Sequence, residues 1–231
     1  MIGSMFFEVE GVLASTASLR RASLLRAIAE EGIAGVDALG DAADGAHDYA
    51  RDTRDAVRNA LRHHAIASDE SAMTLIALRA DRHFASLLQA GVSLAPGARE
   101  FLQLAAARCR LAIVTGLARS TAESVLALAE LDGAFEVIIA GEDVAATKPA
   151  PNGYRKALER MSRRRPLDAR SGLALESSAA GARAARAAGL RCVVVAPFRV
   201  ENIVDADAML TSLAGETPAT LDAMLSVEAA G

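Results

Sequence analysis

The sequence predicts an α/β protein: a doubly wound (Rossmann-like), mostly parallel sheet with a helical cap inserted after the first strand. Three observations carry that expectation. Five short apolar runs, at residues 5–9, 111–114, 137–139, 173–175 and 192–195, stand apart, bounded by polar or glycine signals. That is the pattern of strands buried on both faces of a parallel sheet. Segments with helical spacing alternate with these runs, which argues right-handed crossovers. From about residue 16 to residue 90 the alternation stops, and the chain carries only Arg- and Asp-rich amphipathic helix, as at 51–64.

In chain order, the first run leads directly into that insertion. The expected division is therefore a core of residues 1–15 and 91–231 with a cap of residues 16–90. A cap placed there belongs over the carboxyl edge of the sheet, where open α/β folds bind ligands. Its Arg51, Arg54, Arg58, Arg62, His63 and His64 read first as a solvated helix face. After the insertion, Pro96-Gly97 marks a helix entry, and Leu102, Ala105, Ala106 and Cys109 follow at i, i+3, i+4, i+7. Pro149-Ala150-Pro151 marks another entry, with Tyr154, Ala157, Leu158 and Met161 at the same spacing. Gly189 closes a helix over 179–188 as a C′ glycine does.

Composition narrows the function classes. Among 231 residues, 25 Lys+Arg against 29 Asp+Glu give a net charge of −4, the wrong sign for a phosphate-backbone binder. With no Trp and two Tyr, little is left for base stacking. No apolar run approaches the roughly 20 residues of a membrane span, and residues 1–10 lack a basic region followed by an apolar stretch. A cytoplasmic protein is expected, without membrane or nucleic-acid partners, as a monomer or a homodimer. Cys109 and Cys192 lie in or beside apolar runs and read as reduced thiols. Only two of the 25 basic residues are lysines, Lys148 and Lys156.

Four strand ends hold the candidate chemistry. They are residues 7–13 (Phe-Glu-Val-Glu-Gly-Val-Leu), Thr115-Gly116, Thr147-Lys148-Pro149-Ala150-Pro151, and Glu176-Ser177-Ser178-Ala179-Ala180-Gly181. Each has a plain structural reading: a polar strand end, a strand-to-helix turn, a solvated loop, and a helix N-cap at Glu176-Ser177. Taken singly they are weak; their order and placement are specific.

In that order they resemble the four motifs of the haloacid dehalogenase superfamily, in its phosphatase branch with a helical cap (phosphoglycolate phosphatase and β-phosphoglucomutase relatives). The similarity covers nearly the whole chain. It implies Glu8 as nucleophile, Glu10 as general acid and base, and Thr115 and Gly116 gripping phosphate with Lys148 as the cation. It also implies Mg²⁺, held by Glu8, Glu10, Glu176 and Ser177, and a small phosphorylated metabolite as substrate. The chain departs from the family pattern where chemistry is done. Glu replaces Asp at both positions 8 and 10, and Ser177 stands where an Asp is usual. An extra methylene moves a carboxylate by roughly an ångström, a displacement that can cost about a hundredfold in rate. Glu176 or Asp143 could serve as the metal ligand in place of Ser177. The expectation is thus a phosphatase working through an acyl-phosphate, with altered or reduced activity and weak or absent Mg²⁺. The alternative is an inactive relative that binds a phosphorylated ligand or a protein partner. A phosphonate-hydrolysing Schiff-base chemistry is excluded, because residues 16–90 contain no lysine.

Overall fold

Apolar residues at consecutive positions leave a strand no solvent face, so Ser4–Phe7 (β1) lies at the centre of its sheet with all four residues buried. The computed structural model describes residues 1–36, 53–196 and 203–228; Arg51 lies outside the described residues. Among the described residues the sheet has six strands in the order β3-β2-β1-β4-β5-β6, all parallel. The others are Arg110–Val114 (β2), Val137–Ile139 (β3), Gly172–Glu176 (β4), Arg191–Val195 (β5) and Ala208–Leu210 (β6). The last is one strand more than the apolar runs predict. Ala-Met-Leu is three residues long and only partly buried at the sheet edge, and unlike the Val-Ile-Ile of 137–139 it has no β-branched residue to mark it as a strand.

The chain divides into two compact units, Met1–Ser15 with Ser93–Gly231, and Thr16–Val92. The second is helical among its described residues: Ala17–Glu30 (α1), Thr53–His63 (α2) and Glu70–Gln89 (α3). Its core is built from Leu24 and Ile28 of α1, Val57 and Leu61 of α2, and Met73 and Ile76 of α3. Asp69 caps α3 by accepting from the Ala72 amide at 2.7 Å.

In the sheet unit, Ala98–Ala106 (α4), Arg119–Leu128 (α5), Asn152–Ser162 (α6), Ala179–Ala187 (α7) and Pro218–Glu228 (α8) follow their strands. Gly97 enters α4 with φ +79°, and Gly189 leaves α7 with φ +85°, left-handed positions that glycine adopts without Cβ strain. Tyr154, Ala157 and Met161 bury one face of α6 in a core shared with Phe6, Ala174, Val194 and the alanines of α7. The α4 pattern is shorter than its spacing suggested: the helix stops at Ala106, and Cys109 sits beyond it, half-buried. Both cysteines are free thiols. No helix among the described residues is long and apolar enough to cross a membrane.

Candidate active site

Strand register brings the candidate residues to one place. β1 pairs β2 on one side and β4 on the other, with Phe7 level with both Ile113 and Leu175. The next residues along, Glu8, Val114-Thr115 and Glu176, therefore reach the carboxyl edge side by side. The connections turn in opposite directions on the two sides of β1, which makes this the crevice where such sheets place ligands.

Glu8 is its centre and is 8% exposed. Its Oε1 accepts from the Val9 amide at 2.7 Å and from the Thr115 hydroxyl. Its Oε2 accepts from Lys148 Nζ at 2.7 Å. Lys148 also donates to the Val114 carbonyl at 2.9 Å and forms an ion pair with Glu176. The loop bearing it begins with a cis Lys148-Pro149 bond and runs into α6.

Glu176 lies beneath, completely buried. Its Oε1 accepts from the Tyr154 hydroxyl and faces Lys148. Burial raises the Glu176 pKa; Lys148 pulls it down, and Glu8 pushes it up again. Burial works against the Lys148 charge, but Glu176 and Glu8 outweigh it and drive the ammonium pKa up, so Lys148 stays charged. Burial, then Glu176, pushes the Tyr154 phenol far above its ordinary value, so it remains a donor.

Glu10 joins through its backbone. Its amide lies 3.4 Å from Glu8 Oε1, and its carbonyl accepts from Ser177 Oγ at 2.8 Å. The intervening turn closes tightly: Gly11 has φ +79°, and a Cβ there would lie 2.8 Å from Ser177 Cβ. Ser177 is thus not the helix cap. Ser178 caps α7, accepting from the Gly181 amide at 3.0 Å, which frees the Ser177 hydroxyl to pin the Glu10 loop to β4. Gly116 follows Thr115 in the turn after β2, where the Leu117 amide donates to Thr115 Oγ1 at 3.2 Å.

Two residues that the sequence reading left without a site role belong to this cluster. Tyr154 supplies the donor for Glu176. Gly181 makes room for it, because any Cβ at 181 would fall inside the Glu176 carboxylate. Their signal was the six-residue step from Lys148 to Tyr154 and the glycine opening α7.

A divalent cation does not fit this donor set. Among the described residues no three His, Cys, Asp or Glu side chains gather as metal ligands. The Glu8 oxygens are taken by Thr115, the Val9 amide and Lys148, and Glu176 is sealed inside with Tyr154 and Lys148. The Glu10 carbonyl is held by Ser177. Asp143 offers no substitute: it accepts from the Ala140 amide at 2.8 Å and is paired with Arg119 at 2.5 Å and Arg160 at 3.7 Å. The metal set expected from the resemblance (Glu8, Glu10, Glu176, Ser177) therefore does not assemble as ligands here.

The haloacid dehalogenase-like hydrolase family profile matches residues 6–189. The chain belongs to the haloacid dehalogenase-like hydrolases. It is 32% identical to protein CbbY of Rhodobacter capsulatus over 201 residues, 83% of this chain and 84% of that one. The crystal structure of CbbY from Rhodobacter sphaeroides in complex with phosphate superposes with a TM-score of 0.82 at 30% identity, over 96% of this chain and all of that one. A mutant of that CbbY, in complex with xylulose 1,5-bisphosphate, gives the same TM-score at 29% identity, over 96% and 99% of the two chains. Hydrolases of this family generally use Mg²⁺, which sets this chain's donor set apart.

Proposed function

We propose that this chain is a phosphoric monoester hydrolase for a small phosphorylated metabolite, with Glu8 as the attacking carboxylate. The observation that carries the reading is the convergence of the Thr115 hydroxyl and the Lys148 ammonium on Glu8 at the carboxyl edge of the sheet. A hydroxyl and a fixed cation aimed at one point are what a phosphoryl group requires. Xylulose 1,5-bisphosphate, which a CbbY mutant holds, and phosphoglycolate, the substrate named for a phosphoglycolate phosphatase similar to part of this chain, are the substrates to try first. The helical unit serves as the cap, and the protein works in the cytoplasm.

In the first step a Glu8 oxygen bonds to phosphorus as the ester P–O bond breaks, and Glu10 gives its proton to the leaving oxygen. In the second, water attacks phosphorus, its proton goes to Glu10, and the acyl-phosphate bond opens to release phosphate and regenerate Glu8. Lys148 offsets charge on the equatorial oxygens in both steps.

A second reading, binding without turnover, is favoured by one observation: the Ser177 hydroxyl occupies the Glu10 carbonyl. Phosphate release from the named esters separates the two. Turnover in the wild type that disappears in Glu8→Gln supports the hydrolase; a Glu8→Gln variant as fast as wild type refutes the assigned nucleophile.

A further inference from the structure

We infer that this site operates without a resident divalent cation, with the Lys148 ammonium as its fixed positive charge and the Ser177 hydroxyl fastening the Glu10 carbonyl. The inference rests on the phosphoryl-handling reading above and concerns how that same site is charged.

Mg²⁺ requires near-octahedral oxygen ligands at about 2.0–2.1 Å and gives up its waters reluctantly. The Glu8 and Glu176 carboxylates and the Glu10 carbonyl are already engaged by donors of the chain. Ser177 Oγ stands 2.8 Å from the Glu10 carbonyl oxygen and points its proton at it, so a cation there would have to displace that hydrogen bond and would find a neutral hydroxyl beside it. Glu176 is 0% exposed, and a cation reaching it would have to shed its hydration shell and settle against Lys148. That ammonium already bridges Glu8, at 2.7 Å, and Glu176, and a dication placed between the same carboxylates would meet it as a like charge at close range. Loss of the carboxylate at position 177 and occupation of the carboxylates by Lys148 therefore act in the same direction. The cation's charge is carried by a side chain, and its bracing of the loop is carried by a hydroxyl.

The test is Mn²⁺ binding to the full chain, followed by the paramagnetic signal of free Mn²⁺, together with inorganic phosphate titrated in chelator and in excess Mg²⁺. Wild type should take up no Mn²⁺ at millimolar concentration, and the phosphate Kd should change less than twofold between the two conditions. The Glu8→Asp/Ser177→Asp variant, which restores a carboxylate at 177 and withdraws the one at 8 by a methylene, should gain a Mn²⁺ site. Its folding is checked by circular dichroism, with Ser177→Asp alone as the substitute. One equivalent of Mn²⁺ on wild type overturns the inference. So does a tenfold tightening of phosphate by Mg²⁺, or a folded variant that gains no Mn²⁺. Failure to hydrolyse any ester in either condition refutes the hydrolase reading instead, and the Mn²⁺ arm still decides the cation question.

Discussion

Glu176 shows how a fully buried carboxylate is tolerated: a phenol donates to it, an ammonium faces it, and a glycine leaves it room. Removing one donor leaves a buried acceptor short, at a cost of about 1–3 kcal/mol. Tyr154→Phe should therefore lower the unfolding free energy by that amount, read as a lower denaturant midpoint at unchanged slope, although the aromatic ring keeps its edge-to-face contact with Phe6 at 6.2 Å. Gly181→Ala is a sharper test, because its expected sign is the reverse of the usual one. In an ordinary helix the change stabilises by about 1 kcal/mol; here the new methyl collides with the carboxylate, so thermal unfolding should move to lower temperature. On the proposed mechanism, Lys148→Met should cut phosphate release by about a hundredfold or more, since it removes the charge that pairs with Glu8 and Glu176. Identity of residue type made Glu8, Thr115, Lys148 and Glu176 visible in the sequence. That Glu176 points inward, and that Ser177 turns toward Glu10 while Ser178 takes the cap, depends on side-chain directions that spacing does not encode.

At the level of elements, β2 is anchored at its start by Arg110. That guanidinium grips Glu136 with Nε at 2.9 Å and Nη2 at 2.8 Å, and donates to the Met161 and Arg165 carbonyls at 2.6 and 3.0 Å. It joins β2, the entry to β3 and the end of α6. Arg110 holds the Glu136 pKa below its ordinary value, against the opposing effect of burial. The sign follows from linkage: a carboxylate with a lowered folded pKa adds stability above its unfolded pKa, near about 4.3, and that stability is lost as pH falls through the folded value. Glu136→Gln should flatten the loss of stability on acidification below about pH 4.3, measured by urea unfolding across a pH series, while changing phosphate release little. The inner strands were legible because nearly all of their residues are buried, and edge strand β3 because its Val-Ile-Ile is β-branched. β6 was not, because its Ala-Met-Leu has no β-branched residue to set it apart.

Across the whole molecule, two cores form separately. Ile76, completely buried among α1, α2 and α3, belongs to the helical unit, whereas Phe6, Ala174 and Val194 belong to the sheet. Ile76→Ala should cost about 2–5 kcal/mol and should appear in hydrogen exchange as faster opening of α1 and α3. Amides of β1, β4 and β5 should keep their protection, since contiguous cooperative units open with their own free energies.

The sequence by itself determined the strand order of chemistry: which residue types stand at the ends of the first, second and fourth strands, and which lysine precedes α6. These are local facts, written in apolar runs of three to five residues and the polar residues that end them. Tertiary structure alone decided that the three strands bearing Glu8, Thr115 and Glu176 are neighbours in register. It alone decided that Lys148, 140 positions from Glu8, closes between the two carboxylates. The reason is physical. Whether an acidic residue acts as a metal ligand or as the partner of an ammonium depends on which charge lies nearest in a buried, weakly screened space, and chain spacing does not specify that distance.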